Sequence, residues 1–141
     1  YEISVVKGNN QSNALVFVVT EDKPVPTPTP VSNQGTTIIY TNNGYLPTAL
    51  TIKRGQTVTW KNESSGQMWT ASAVHPTHQV YPGTDITLCG ALTGIPIAPI
   101  FDACVGTSAG KSWSFPFYAV GSWKYHNHLN PAHTGTIIVV E

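Results

Sequence analysis

The sequence predicts an all-β protein, a sandwich or barrel, and three observations carry that prediction. From Thr36 onward, short runs of β-branched and aromatic residues alternate with turn signals at the spacing of such folds. No segment sustains a helical period of apolar residues. Polarity comes from 18 Thr residues with many Asn and Ser, while only 10% of residues are charged against about 25% in an average soluble protein. That balance suits a β protein outside the cell.

Element by element, residues 1–22 read as two strands, Tyr1 to Lys7 and Asn13 to Thr20, around the turn-rich Gly8-Asn9-Asn10-Gln11-Ser12. A lone hairpin is marginal in water and must pack on something. Residues 23–35 follow as a linker. Pro24, Pro26, Pro28 and Pro30 fix φ and remove backbone donors, which makes it an extended, semi-rigid spacer ending near Gly35. The main domain, 36–141, is expected to hold strands at 36–41, 48–52, 56–61, 68–73, 111–118, 121–127 and 134–140. Gly55-Gln56, Ser65-Gly66, Pro82-Gly83 and Ala109-Gly110 mark turns or bends. Between strands lies a long excursion, 80–109, of the kind that is functional or covers one end of a sandwich.

The 141 residues support one compact domain with a short appendage. Seven basic and seven acidic residues cancel without a run of either sign, so neither nucleic acid nor anionic lipid finds an electrostatic grip. No apolar run reaches the 18 or so residues of a membrane span, and no leader pattern precedes Tyr1. The expectation is a soluble piece excised or processed from a longer chain. Cys89 and Cys104, 15 apart, match no CxxC redox or zinc spacing. A disulfide between them is expected, which places the chain in an oxidising compartment: secreted, periplasmic or cell-surface. Asp85 and Asp102 lie in the same excursion without an identifiable partner, and no hydrolytic triad or carboxylate pair can be assembled.

Histidine carries the chemistry. All five, His75, His78, His126, His128 and His133, fall in the second half of the chain, three of them within YHNHLNPAHTG. His126 and His128 are two apart on a predicted strand, so they project from one face, where two imidazoles can share an ion. In His75-Pro76-Thr77-His78 the proline stiffens the loop and limits the entropy lost on coordination. Imidazole-rich sites suit copper, zinc, iron or nickel, and copper(II) heads the affinity order. The competing reading is a histidine-rich surface without metal.

Two segments, GYLPTALTIKRGQTVTWKNESSGQMWTAS and SWSFPFYAVGSWKYHNHLNPAHTGTIIVVE, resemble a cupredoxin domain, the Greek-key β-sandwich of small copper proteins, copper nitrite reductases and multicopper oxidases. The likeness rests on the run P-x-x-[LI]-x-[IV]-x-x-G-x-x-V-x-W-x-N from Pro47 to Asn62 and on the Y-H-x-H ending with its glycine and alternating strand. It implies copper as cofactor, electron transfer as the default role, and a redox partner protein or a homo-oligomer as partners. The N-terminal stretch YEISVVKGNNQSNALVFVVTE resembles the closing hairpin of a bacterial immunoglobulin-like domain.

The family pattern is broken where a blue copper would sit. Alignment puts Met68 at the first histidine position, Asn127 at the cysteine, Asn130 near the second histidine and His133 at the methionine. Without a thiolate at 127, the resemblance implies no blue charge-transfer site. What survives is the other half of the pattern: His126 and His128 match the non-blue ligands beside the thiolate position, and His75 falls near their companion. The expected site uses His75, His126 and His128, with His78 and His133 as contenders for a fourth position. Trp69 and Trp123 flank these segments and are expected to pack in the core or to screen a metal. Two alternatives stand beside a copper-binding domain: an oligomeric copper oxidoreductase completed at a subunit interface, and an interaction module that kept the fold without metal.

Overall fold

A computed structural model describes the backbone of Ile3–Val5 and Asn13–Leu15, and residues 35–91 and 99–141. The chain divides into two units, Tyr1–Ser32 and Asn33–Glu141. In the first, β1 (Ile3–Val5) pairs antiparallel with β2 (Asn13–Leu15), in register Ile3↔Leu15. The rest of the expected hairpin, and the linker up to residue 34, lie outside the described residues.

The second unit holds β3 (Thr37–Thr41), β4 (Gly44–Leu46), β5 (Ala49–Lys53), β6 (Thr57–Asn62), β7 (Thr70–Ser72), α1 (Thr87–Ala91), β8 (Ser112–Pro116), β9 (Gly121–Asn127) and β10 (Asn130–Val140). They form two four-stranded mixed sheets, ordered β4-β3-β6-β8 and β5-β10-β9-β7. β3 and β6 run parallel, as do β5 and β10, and the remaining neighbours are antiparallel. All seven expected strands of this unit are present with ends shifted by a few residues. The turn signals do not predict β4. It forms because Gly44 adopts φ 116, which closes a tight reversal after β3, and the Thr41 hydroxyl donates to the Gly44 carbonyl at 3.1 Å. The expected strand 68–73 shortens to β7 because the Trp69 N–H leaves the ladder for the Asn127 side chain, at 2.9 Å. One helical turn, α1, interrupts the all-β pattern within the excursion. Its start is held by Asp85, whose Oδ1 accepts the Thr87 N–H at 2.9 Å.

The strands alternate, and alternation builds the core. β5 buries Leu50 and Ile52, and β6 buries Val58 and Trp60. Trp60 lies between the sheets within 5.3–6.2 Å, centroid to centroid, of Phe101, Trp113, Phe117 and Tyr125. Truncating so enclosed a side chain to alanine costs about 3–5 kcal/mol. At one end of β6, buried Asn62 donates to the carbonyls of Gly66 and Thr107, both at 2.8 Å, and its Oδ1 accepts the Ser64 hydroxyl. That pins two loops to the sandwich without leaving the amide unsatisfied.

β7 is the outer strand of its sheet, and the excursion covers it. Asp102 bridges Ala71, and the Ser72 and Ala103 N–H groups bond across to Phe101 and Thr70 carbonyls at 2.8 and 2.9 Å. The edge is therefore closed by the protein's own loop. Cys89 and Cys104 form the expected disulfide, with Cα atoms 5.2 Å apart.

Candidate metal centre

β9 and β7 set the site. Their antiparallel register places Ala71 against His126 and Thr70 against Asn127. Consecutive residues of β9 point to opposite faces, so Asn127 enters the space between the sheets while His126 faces the loop that follows β7. That loop carries His75 and His78 over His126, and His128 follows one residue after the end of β9.

One ring nitrogen from each of His75, His126 and His128 lies within 4.8 Å of the other two. His75 is exposed, His128 half-buried and His126 buried. His78 joins the group: its ring centroid is 4.9 Å from those of both His126 and His128, and its Nε2 is 3.0 Å from His128 Nδ1. It is fully buried, and its other ring nitrogen meets Asp102 Oδ2 at 2.5 Å. Four of the five histidines are thus brought together. The fifth, His133, is placed elsewhere: its Nδ1 is 2.8 Å from the Tyr40 hydroxyl, and its Nε2 faces the Asn130 amide.

Burial pushes His126 down to about 4 from its ordinary 6.5, with the neighbouring histidines adding to the effect. The same causes lower His128. For Asp102, burial opposes ionisation, but hydrogen bonds from His78, the Trp69 indole N–H and the Cys104 N–H outweigh it and hold the carboxyl below its usual range. At neutral pH the centre therefore offers unprotonated imidazole at His126 and His128, and a carboxylate behind His78.

The donor set fits a metal that favours nitrogen. His126 Nε2 is buried with no hydrogen-bond partner, an arrangement that costs about 1–3 kcal/mol unless something else engages it. Three nitrogens within 4.8 Å of one another could hold one ion, to which they would supply an all-imidazole donor set. Trp69 packs on the His128 ring at 4.4 Å and shields that flank, whereas Trp123 packs against Tyr81. On the other flank, beside His75 and His126, opens a cleft of ≈ 320 Å³ that Lys124 and Thr136 also line.

The positions that the sequence resemblance assigns to a blue centre hold a hydrogen-bond network. Asn127 is buried; its Oδ1 accepts the N–H groups of Trp69 and Leu129, and its Nδ2 donates to Tyr40 Oη at 2.7 Å. Tyr40 in turn contacts His133, and Met68 is packed into the core. Sequence reasoning missed two of these participants. Tyr40 reads only as an alternating strand residue, and Asp102, 24 positions from His78, carries no local motif. The sole hint for Asp102 is its place two residues before a disulfide cysteine.

No family model matches the chain, and no curated protein matches it. Solved structures do. A purple cupredoxin from Nitrosopumilus maritimus aligns at 21% identity and TM-score 0.54, over 74% of this chain and 98% of that one. An oxidized amicyanin mutant aligns at 17% and 0.56, over 74% and 80%. A copper-containing nitrite reductase from Thermus scotoductus aligns at 18% and 0.52, over 74% of this chain but 22% of that one. By its two mixed four-stranded sheets and these structural neighbours, the second unit of this chain has the cupredoxin fold, a Greek-key β-sandwich.

Proposed function

We propose that this is a copper-binding cupredoxin-like domain with a histidine-rich, non-blue centre, serving electron transfer or copper handling outside the cell. The observation that carries the reading is the buried, unpartnered Nε2 of His126 in a group with His75 and His128. His75, His126 and His128 hold the ion, and His78 supplies a fourth nitrogen; His133 is left out of the set because it bonds Tyr40. Copper is favoured over other divalent ions by an all-imidazole donor set and by the copper proteins that share the fold. The disulfide suits an oxidising compartment, and among the described residues no helix is long and apolar enough to cross a membrane. Copper loading followed by electron paramagnetic resonance tests this. The expected result is one tightly bound copper with an axial type 2 signal and nitrogen hyperfine structure; absence of stoichiometric binding overturns it.

A second reading, a copper oxidoreductase, draws on the cleft that reaches His75 and His126, where an external ligand could approach the ion. Perturbation of the copper signal by small anions favours it, as does a homo-oligomer with copper at its interfaces. A copper signal indifferent to added ligands in a monomer favours electron transfer with a redox partner protein.

A further inference from the structure

Asp102 makes four contacts that converge on the histidine group. Its Oδ2 meets His78 Nδ1 at 2.5 Å, its Oδ1 accepts the Trp69 indole N–H and the Cys104 N–H, both at 2.7 Å, and its backbone bridges Ala71 beside His126. An ionised carboxylate only accepts, so the proton between Asp102 and His78 belongs to Nδ1. A neutral His78 then carries its lone pair on Nε2. That nitrogen is the one turned to the group, 3.0 Å from His128 Nδ1. Without a metal, a bare Nε2 at this distance accepts the His128 Nδ1–H; two nitrogens bound to one ion at about 2.0–2.1 Å from perpendicular directions would also lie roughly 3 Å apart, so the same spacing suits two neighbouring ligands.

The backbone around this contact is also unusual. His78 (φ 61) and Cys104 (φ 58) are the non-glycine residues with positive φ among the described residues, and each bonds directly to the Asp102 carboxylate. Left-handed backbone at ordinary residues costs about 1–3 kcal/mol and persists only where its surroundings demand it. The ring of Trp69, held through its indole N–H, is the surface on which His128 packs.

We propose that Asp102 is the positioning residue of the centre: it fixes the Nδ1–H form of His78 so that Nε2 faces the metal, and through Trp69 it seats His128. The disulfide loop thereby acts as outer support for the site, because Cys104 lies two residues beyond Asp102 and donates to it. Carboxylates behind metal-bound histidines set tautomer and ring orientation, and losing one costs about 10–100-fold in metal affinity. The tautomer does not depend on copper; the metal-binding part rests on the functional reading above.

Two measurements on the whole chain test this. In the metal-free protein, at a pH where the His78 ring is neutral, long-range proton–nitrogen NMR should show it protonated at Nδ1 and bare at Nε2. A neutral ring that carries its proton on Nε2 overturns the proposal, and this result needs no variant to fold. With copper added, Asp102→Asn should weaken binding about 10–100-fold and alter the remote-nitrogen couplings seen by pulsed resonance. Because Asn keeps an acceptor oxygen for the Trp69 indole, the Asp102→Asn, His78→Ala double variant should bind no more weakly than His78→Ala alone. An unchanged affinity and spectrum in Asp102→Asn, or losses that multiply in the double variant, overturn it. Failure of the unaltered protein to bind copper sinks the functional reading instead, and the NMR result stands apart from it.

Discussion

His126 and Asn127, adjacent on β9, serve opposite sides of one sheet: the imidazole enters the histidine group, while the amide bonds Tyr40 between the sheets. Two chemistries are separated by one residue of strand. The amide occupies the position that the sequence resemblance assigns to a thiolate, so the copper-loaded protein is expected to lack an intense band near about 600 nm. Visible absorption checks this, and a deep blue or purple form would contradict the alignment. Asn127→Ala strands the Trp69 and Leu129 N–H groups and removes one of the two hydrogen bonds of Tyr40 Oη, at about 2–4 kcal/mol. Urea unfolding should show that loss, while copper affinity of the folded variant stays within a few-fold.

Replacing both His126 and His128 with alanine is expected to abolish tight copper binding. His75→Ala weakens it strongly, and His133→Ala leaves it unaltered because that ring is engaged by Tyr40. Competition titration with a copper chelator measures each. Unchanged affinity in the double variant would remove the proposed centre.

Folded His126 binds its proton only near pH 4, against 6.5 ordinarily, so between these values the unfolded chain holds more protons than the folded one. Stability of the metal-free protein therefore rises with pH across this window, is fully present above about 6.5, and is lost as pH falls toward 4. The expected loss from this group between about pH 7 and about pH 5 is on the order of 2 kcal/mol. Urea midpoints at the two pH values measure it, and in His126→Gln the slope should flatten.

The Cys89–Cys104 bond closes a loop that contains Asp102 and covers β7. Native protein should resist thiol alkylation. Reduction should cost about 3 kcal/mol of stability, from the freedom regained by a loop of this length. Two alkylatable thiols without prior reduction would refute the bond.

Much of this protein is local and was therefore readable from the chain. Strand alternation in Ala49–Lys53 and Thr57–Asn62 follows from the period of the backbone, and so does the separation of Asn127 from His126 and His128. The cysteine pair and the histidine clustering are visible without any fold. What only the tertiary structure decided are relations across long stretches of chain. His133, seven residues from His126, is taken by Tyr40, which arrives from the other sheet. Asp102 reaches His78 only because the excursion returns along the edge of β7 and bonds to it. Periodicity says which way a side chain points within its own strand; which partner meets it depends on the packing of distant segments, and that is a property of the whole fold.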